Sequence, residues 1–171
     1  MKRQALPSHL LAIAAIAAWV PLSCGSKGSP PVASNSPLGG TVAGRAFTSA
    51  GATAESREGG LYVVIANEPL ACGTVVRPNP ALVLITLSLP ANVRGAGVYE
   101  LGLDTMSARV VATTYSAGTT GQLAQSSEYL RGTLTVESAT DNHPAVGALT
   151  VQDQAGTSVA GRFDAVFCGT P

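Results

Sequence analysis

The sequence predicts an all-β fold, an antiparallel sandwich or small barrel of about eight strands. Three observations lead to this class. From Thr41 onward, apolar residues alternate with polar or small ones at the strand period rather than the helix period. The alternating segments are short, and turns rich in the chain's 19 glycines and 11 prolines separate them. The sequence also lacks a long run of good helix formers.

Eight segments carry the strand pattern. In residues 81–89 nearly every side chain is apolar, which predicts a central strand covered on both faces. Leu130, Leu134 and Val136 alternate with polar residues and are expected to point into the core. The predicted strands are residues 41–47, 61–66, 81–89, 97–102, 108–115, 130–137, 145–152 and 157–167.

The connections follow from composition. Residues 48–60 are polar or small and predict a loop in which Glu55, Arg57 and Glu58 are solvated. Residues 67–80 contain three prolines and predict a second loop, which holds Cys72. Residues 122–127 fit either a helical turn or an irregular connection. Turns are predicted at residues 141–144 and 153–156, the second as a hairpin.

The amino-terminal stretch has the order of a secretory signal. Lys2 and Arg3 precede the uncharged apolar run of residues 10–20, and small residues then surround Cys24. The run is shorter than the roughly 20 residues that a membrane-spanning helix needs. A buried core helix is the other alternative, but the cationic start favours export.

The residues Leu22-Ser23-Cys24-Gly25 resemble the lipobox of bacterial lipoproteins, although Pro21 stands where that family usually has an aliphatic residue. The resemblance implies that residues 1–23 are a signal peptide and that Cys24 becomes the lipidated first residue. The protein would then be a membrane-anchored lipoprotein of the bacterial cell envelope. Gly25 in place of an aspartate favours the outer membrane.

Two further regions follow the anchor. Residues 24–40 are rich in Ser, Gly and Pro and predict a flexible tether, so that the β-domain would comprise residues 41–171. Residues 161–168, with 132–136 before them, resemble the carboxy-terminal half of some uncharacterised bacterial lipoproteins. That resemblance implies a glycine-rich β-domain closed by a cysteine, and no known activity.

The chain contains three cysteines, which is an odd number for an exported protein. If Cys24 carries lipid, Cys72 and Cys168 remain to form a disulfide, which persists in oxidising compartments. Two buried free thiols are the alternative.

The net charge and the few candidate catalytic residues limit the classes of function that fit the chain. Removing Lys2 and Arg3 from 10 basic and 10 acidic residues leaves 8 and 10, a net charge near −2 without the clustered cations of a nucleic-acid protein. His143 is the only histidine after the signal and is expected in a surface turn. No catalytic residue, metal ligand set or cofactor site is therefore assigned.

Weaker alternatives remain for these groups. His143 could act as a general base, and loop oxygens of Asp141, Asn142 and Asp153 could hold calcium. Glycoside chemistry would need two carboxylates from a small set. That set comprises Glu100, Asp104, Glu128 and Glu137.

The aromatic residues give little support for a sugar site. Trp19 leaves with the signal, and the others fit core strands at least as well as sugar platforms. These others are Phe47, Tyr62, Tyr99, Tyr115, Tyr129, Phe163 and Phe167.

The sequence therefore favours a lipid-anchored, non-enzymatic β-domain that presents a binding or structural surface in the envelope. Its partners would be the membrane and an envelope protein or polymer. The alternatives are an envelope hydrolase that uses carboxylates or His143, and a lipid or small-molecule carrier with a barrel cavity.

Overall fold

The computed structural model describes residues 36–57, 59–104, 106–118, 121–153 and 156–169. The predicted signal peptide, Cys24 and the tether up to residue 35 lie outside the described residues. The described residues confirm the all-β class, with ten strands rather than about eight and one 3-10 helix, Ala91–Val93. The strands are β1 Gly39–Val42, β2 Arg45–Thr48, β3 Gly51–Arg57, β4 Gly60–Ala66, β5 Val83–Pro90, β6 Gly97–Glu100, β7 Arg109–Ala117, β8 Leu123–Ser138, β9 Ala145–Gln152 and β10 Ser158–Phe167.

The strands form one ring-like sheet. Along the main path the order is β2-β1-β10-β3-β4-β5-β7-β8-β6, and β9 pairs with both β8 and β10. That double pairing closes a ring through β10, β3, β4, β5, β7, β8 and β9. Every ladder between described strands is antiparallel except β10–β3, which is parallel and only two residue pairs long. The sheet is therefore ring-like without being an evenly paired barrel. No helix among these described residues is long and apolar enough to cross a membrane.

The 16-residue strand β8 belongs to two parts of the ring. Its residues 123–130 pair with β7, whereas residues 131–138 pair with β9. Gly132 lies just beyond this change of partner with a φ of 146°, and a Cβ there would lie 2.1 Å from the carbonyl oxygen of Thr150. Only glycine fits such a backbone conformation at so close an approach.

The core lies inside the ring and arises from period-two alternation. Val83, Ile85, Leu87 and Leu89 of β5 are all buried, together with the predicted inward residues of β4 and β8. The prediction that this central strand is covered on both faces is wrong. Its intervening side chains, Leu84 among them, are partly exposed because no second layer covers the outer face.

The first strands differ from the predicted single strand over residues 41–47. β1 and β2 form a hairpin whose loop is Ala43 and Gly44, with φ values of 48° and 74°. A two-residue loop with positive φ at both positions matches the twist of the flanking strands. Alanine rarely adopts this conformation, so the turn had no clear signal in the sequence.

The domain also begins earlier than the predicted boundary at residue 41. Leu38 is fully buried, and β1 starts at Gly39. The amide nitrogen of Arg162 donates a hydrogen bond of 2.9 Å to the carbonyl oxygen of Ser36. Residues 36–40 therefore belong to the sheet rather than to the tether.

The prediction of a loop over residues 48–60 is also wrong. Residues 51–57 form β3, which pairs with β4 along its whole length. Its main chain is satisfied by that ladder, so the polar side chains of Glu55 and Arg57 simply occupy the outer face. Glu58 lies outside the described residues. Residues 122–127 are neither a helical turn nor irregular, since all but Gln122 belong to β8.

The predicted disulfide between Cys72 and Cys168 is confirmed, with a Cα–Cα distance of 5.2 Å. Cys72 lies in the predicted loop before β5, and Cys168 directly follows β10. The amide nitrogen of Cys168 donates a 2.7 Å hydrogen bond to the carbonyl oxygen of Ala54 in β3. The disulfide therefore attaches the loop to the place where β10 meets β3.

We expect Cys72→Ser to lower the free energy of unfolding by about 2–5 kcal/mol, because the bond closes a long loop in the unfolded chain. Urea unfolding of the variant and of the wild type measures the difference. Wild-type protein treated with reductant should unfold like the variant. Equal midpoints for oxidised and reduced wild type would contradict the prediction.

We expect Gly132→Ala to lower the free energy of unfolding by at least about 1–3 kcal/mol, because the new methyl group meets backbone at a strained φ. Gly121→Ala is the matched control, since its φ is 78° but a Cβ there meets nothing within 4 Å. Thermal unfolding should show the larger loss for Gly132→Ala. Equal losses would mean that φ alone, and not the close approach, governs the site.

Candidate functional site

A set of adjoining clefts lies on the outer face of β4, β5, β7 and β8, and we call it the outer groove. Its central cleft has a volume of about 370 Å³. Side chains from all four strands form its walls. They are Tyr62, Leu84, Thr86, Ser88, Arg109, Val111, Thr113, Tyr115, Gln125 and Tyr129.

Strand register places these side chains on one face. Tyr62 pairs with Ser88, and Ser88 pairs with Arg109, so the three form one row across the sheet. In the next row, Thr86 pairs with Val111, which pairs with Tyr129. Because successive residues of a strand point to opposite faces, the same alternation that fills the core also builds the outer groove.

The central cleft continues at both ends. Towards one end, Tyr62, Ser88 and Arg109 also line a cleft of about 260 Å³ that includes Arg57. Towards the other end, Tyr129 also lines a cleft of about 660 Å³. The other residues of that cleft are Arg131, Gly132, Gln152 and Asp153. The outer groove therefore consists of three clefts that adjoin through shared residues.

The arginines of the outer groove differ in their partners. Arg57 forms an ion pair with Glu55, and its guanidinium lies 4.7 Å from the centre of the Tyr62 ring. These contacts compensate the charge of Arg57 and fix the tyrosine. Within the described part of the chain, Arg109 and Arg131 form no ion pair. Arg109 is half-buried nonetheless, so the centre of the groove holds a positive charge without a counter-ion.

Polar groups and one exposed ring complete the surface. The hydroxyl groups of Thr113 and Ser127 are 3.0 Å apart, and the amide nitrogen of Gln125 donates to Ser127 at 3.2 Å. Arg45 of β2 donates a 2.8 Å hydrogen bond to the carbonyl oxygen of Tyr115. Tyr129 retains 57% exposure, which leaves its ring available to a ligand.

The tyrosines correct the sequence interpretation. Tyr62, Tyr115 and Tyr129 were predicted to fit the core, but they line the outer groove. The position of Tyr129 follows from the alternation of side chains between the two faces of a strand, because Tyr129 directly precedes the inward-facing Leu130. The same alternation that predicted Leu130 in the core therefore indicates Tyr129 on the outside. The remaining aromatic residues agree with the core prediction: Phe47 and Phe163 are buried, and Tyr99 and Phe167 pack against the core.

His143 lies exposed in the predicted turn after β8. Its neighbour Asp141 accepts hydrogen bonds from the hydroxyl group of Ser56 and the guanidinium of Arg94. The hydrogen bond from Ser56 and then the hydrogen bond from Arg94 lower the pKa of Asp141 below its ordinary value. Asp141 thus stabilises the packing of β3 and the turn, and these contacts do not form a catalytic dyad with the histidine.

The candidate carboxylates occupy separate local interactions. Asp104 accepts hydrogen bonds from the hydroxyl of Ser107 and the amide of Met106, which lower its pKa in that order. Glu128 accepts a hydrogen bond from a threonine hydroxyl group, at Thr157. The structure therefore gives these two carboxylates no shared partner through which they could act together.

The last two carboxylates also remain apart from a common site. Glu137 forms an ion pair with Arg162, and Glu100 is exposed at the end of β6. Asp141 precedes the eight-residue strand β9 and Asp153 follows it, so the two carboxylates lie towards opposite ends of that strand. Among the residues that the structure describes, no three His, Cys, Asp or Glu side chains form a group that could hold a metal ion.

Comparison with known proteins identified no relative of this chain. No protein-family model matches the chain, and neither curated proteins nor solved structures gave a significant match. The residues of the outer groove and the amino-terminal sequence therefore carry what is known of its function.

We expect Asp141→Asn to destabilise the domain at neutral pH and to have no effect in acid. The native pKa is lowered, so the contribution of Asp141 is present above its ordinary value of 3.8 and is lost as the pH falls through the native pKa. Denaturant unfolding at several pH values measures this difference. Asp164→Asn, at an exposed position of β10, is the control that should match wild type throughout. A stability difference that persists unchanged below pH 3.8 would contradict the assignment.

Proposed function

We propose that this chain is an exported lipoprotein of the bacterial cell envelope whose β-domain binds a partner without converting it. The observation that carries the binding role is the outer groove, a concave surface with tyrosine rings and arginines that lack counter-ions. Preformed concave sites with a few polar groups are typical of ligand-binding surfaces. The amino-terminal sequence supports the location.

The disulfide is consistent with export. Disulfides persist in oxidising compartments and are rare in the reducing cytosol. Because Cys72 and Cys168 are bonded to each other, Cys24 is left over from the three cysteines of the chain. This supports the proposal that Cys24 carries the lipid that its lipobox-like sequence implies.

Binding is favoured over catalysis by the composition of the outer groove. General acid–base chemistry needs at least one positioned proton donor or acceptor, and glycoside hydrolysis needs two carboxylates. The described lining contains no histidine and one carboxylate, Asp153, at one end. The oxygen of Asp153 already accepts a 2.8 Å hydrogen bond from the amide of Thr157.

The filled core weighs against the carrier alternative. Large side chains that point into the ring, such as Leu61, Ile85 and Leu134, are at most 1% exposed. Packing of this kind leaves no room for a lipid or a small molecule between them. The outer groove is therefore the better candidate for a ligand.

Metabolic labelling with palmitate tests the anchor in bacteria that express the full chain. Wild-type protein should incorporate the label and fractionate with membranes, whereas Cys24→Ala should do neither. Cys168→Ser is the control, because it breaks the disulfide of the domain and leaves Cys24 in place. Equal labelling of wild type and Cys24→Ala would overturn the lipoprotein proposal.

A further inference from the structure

We propose that the outer groove binds an acidic polysaccharide, with Tyr129 as the stacking platform and Arg109 and Arg131 as ligands for its carboxylates. This inference rests on the proposed binding function and names its partner. The polymer would be one whose sugar rings carry carboxylate groups.

Charge complementarity is the first argument. Arg109 is half-buried on the outer face of β7, and no carboxylate of the described residues pairs with it. A charge that is partly removed from water is costly unless a partner compensates it. A planar guanidinium binds a carboxylate through two parallel hydrogen bonds, so a uronic acid supplies the missing partner.

Tyr129 shares a cleft with each of the two unpaired arginines. It lines the central cleft together with Arg109 and the neighbouring cleft together with Arg131. A carboxylated sugar that stacks on this ring would therefore have a cation in each of the two clefts that the ring lines. The positive charges repel each other when the groove is empty, and a bound anion relieves that repulsion.

The other side chains suit a sugar. A tyrosine ring offers an apolar face and a polar tip, which match the C–H face and the hydroxyl groups of a pyranose. Thr86, Ser88 and Gln125 add hydrogen-bonding groups along the central cleft. The three clefts in series favour a polymer over a compact ligand, because consecutive sugar units can occupy consecutive clefts.

An acidic peptide fits the outer groove less well. Extended peptides commonly bind by adding a strand to the edge of a sheet. In the outer groove, β4, β5 and β7 each pair with neighbours on both sides, so their main-chain groups are already satisfied. Side chains alone would have to hold a peptide there.

Isothermal titration calorimetry with the purified full chain tests the proposal. The probes are polygalacturonate oligosaccharides, neutral dextran oligosaccharides and poly-glutamate. We expect polygalacturonate to bind at least about tenfold more tightly than either of the others, a difference of about 1.4 kcal/mol. Added salt should weaken this binding, because exposed charge pairs are screened.

Substitutions locate the binding site. Arg109→Gln should weaken polygalacturonate binding by about tenfold to a hundredfold, and Tyr129→Ala by about tenfold. Arg109→Lys should fall between wild type and Arg109→Gln, because it keeps the charge but loses the planar fork. Thermal unfolding of each variant separates lost binding from lost structure.

Two variants away from the groove serve as matched controls. Arg77→Gln removes an exposed loop arginine, and Val166→Ala truncates a side chain that is 57% exposed, like Tyr129. Both should bind polygalacturonate like wild type. Losses as large as those of Arg109→Gln would overturn the assignment to the outer groove.

Other outcomes separate this inference from the proposed function. If wild type does not bind polygalacturonate while Cys24 is still labelled by palmitate, the polysaccharide inference fails and the lipoprotein proposal stands. Equal binding of dextran or of poly-glutamate would overturn the acidic-polysaccharide partner. The length of the polygalacturonate is measured after incubation, and shortening would overturn the non-enzymatic proposal while leaving the groove as its binding site.

Discussion

The ring depends on the short contact between β10 and β3. Only Val166 and Phe167 pair with β3, whereas β10 pairs with β9 over eight residue pairs. The two strands are far apart in the sequence, so bringing them together costs the entropy of closing a long loop. The Cys72–Cys168 disulfide directly follows the short ladder and stabilises the least extensive contact of the ring.

Closure of the ring fixes the positions of the side chains that form the walls of the outer groove. A ring with a filled interior leaves its outward side chains fixed by strands that cannot shift without disturbing the core. The walls of the groove come from neighbouring strands in one register, so their spacing is set by backbone pairing. Such preorganisation reduces the ordering cost of binding. The outer groove therefore needs no rearrangement of the main chain to accept an extended ligand.

The sequence predicts the strands and their core residues best where apolar and polar side chains alternate strictly, so that the two faces of a strand differ in polarity. Leu130, Leu134 and Val136 occupy the core as predicted, and the loop around Cys72 is where its prolines placed it. The short polar strand β3 and the hairpin at Ala43 were missed. In both cases the main chain pairs along its length with the next strand in the sequence, and the small and polar side chains of the segment give no sign of that pairing. The alternation of side chains along each strand also predicts that the groove tyrosines point outward. They were assigned to the core because tyrosine is a residue type that often packs there.

The distribution of acidic residues argues that the groove charges serve a ligand rather than the fold. Outside the central cleft, Arg94 pairs with Asp141 and Arg162 with Glu137, whereas Arg45 donates to the carbonyl oxygens of Pro80 and Tyr115. Suitable carboxylates therefore occur on neighbouring elements of the same small domain. Serine, threonine and tyrosine, and no acid, occupy the central cleft around Arg109. Leaving a half-buried cation unpaired does not stabilise the domain, and the carboxylate of the proposed ligand would supply the missing partner.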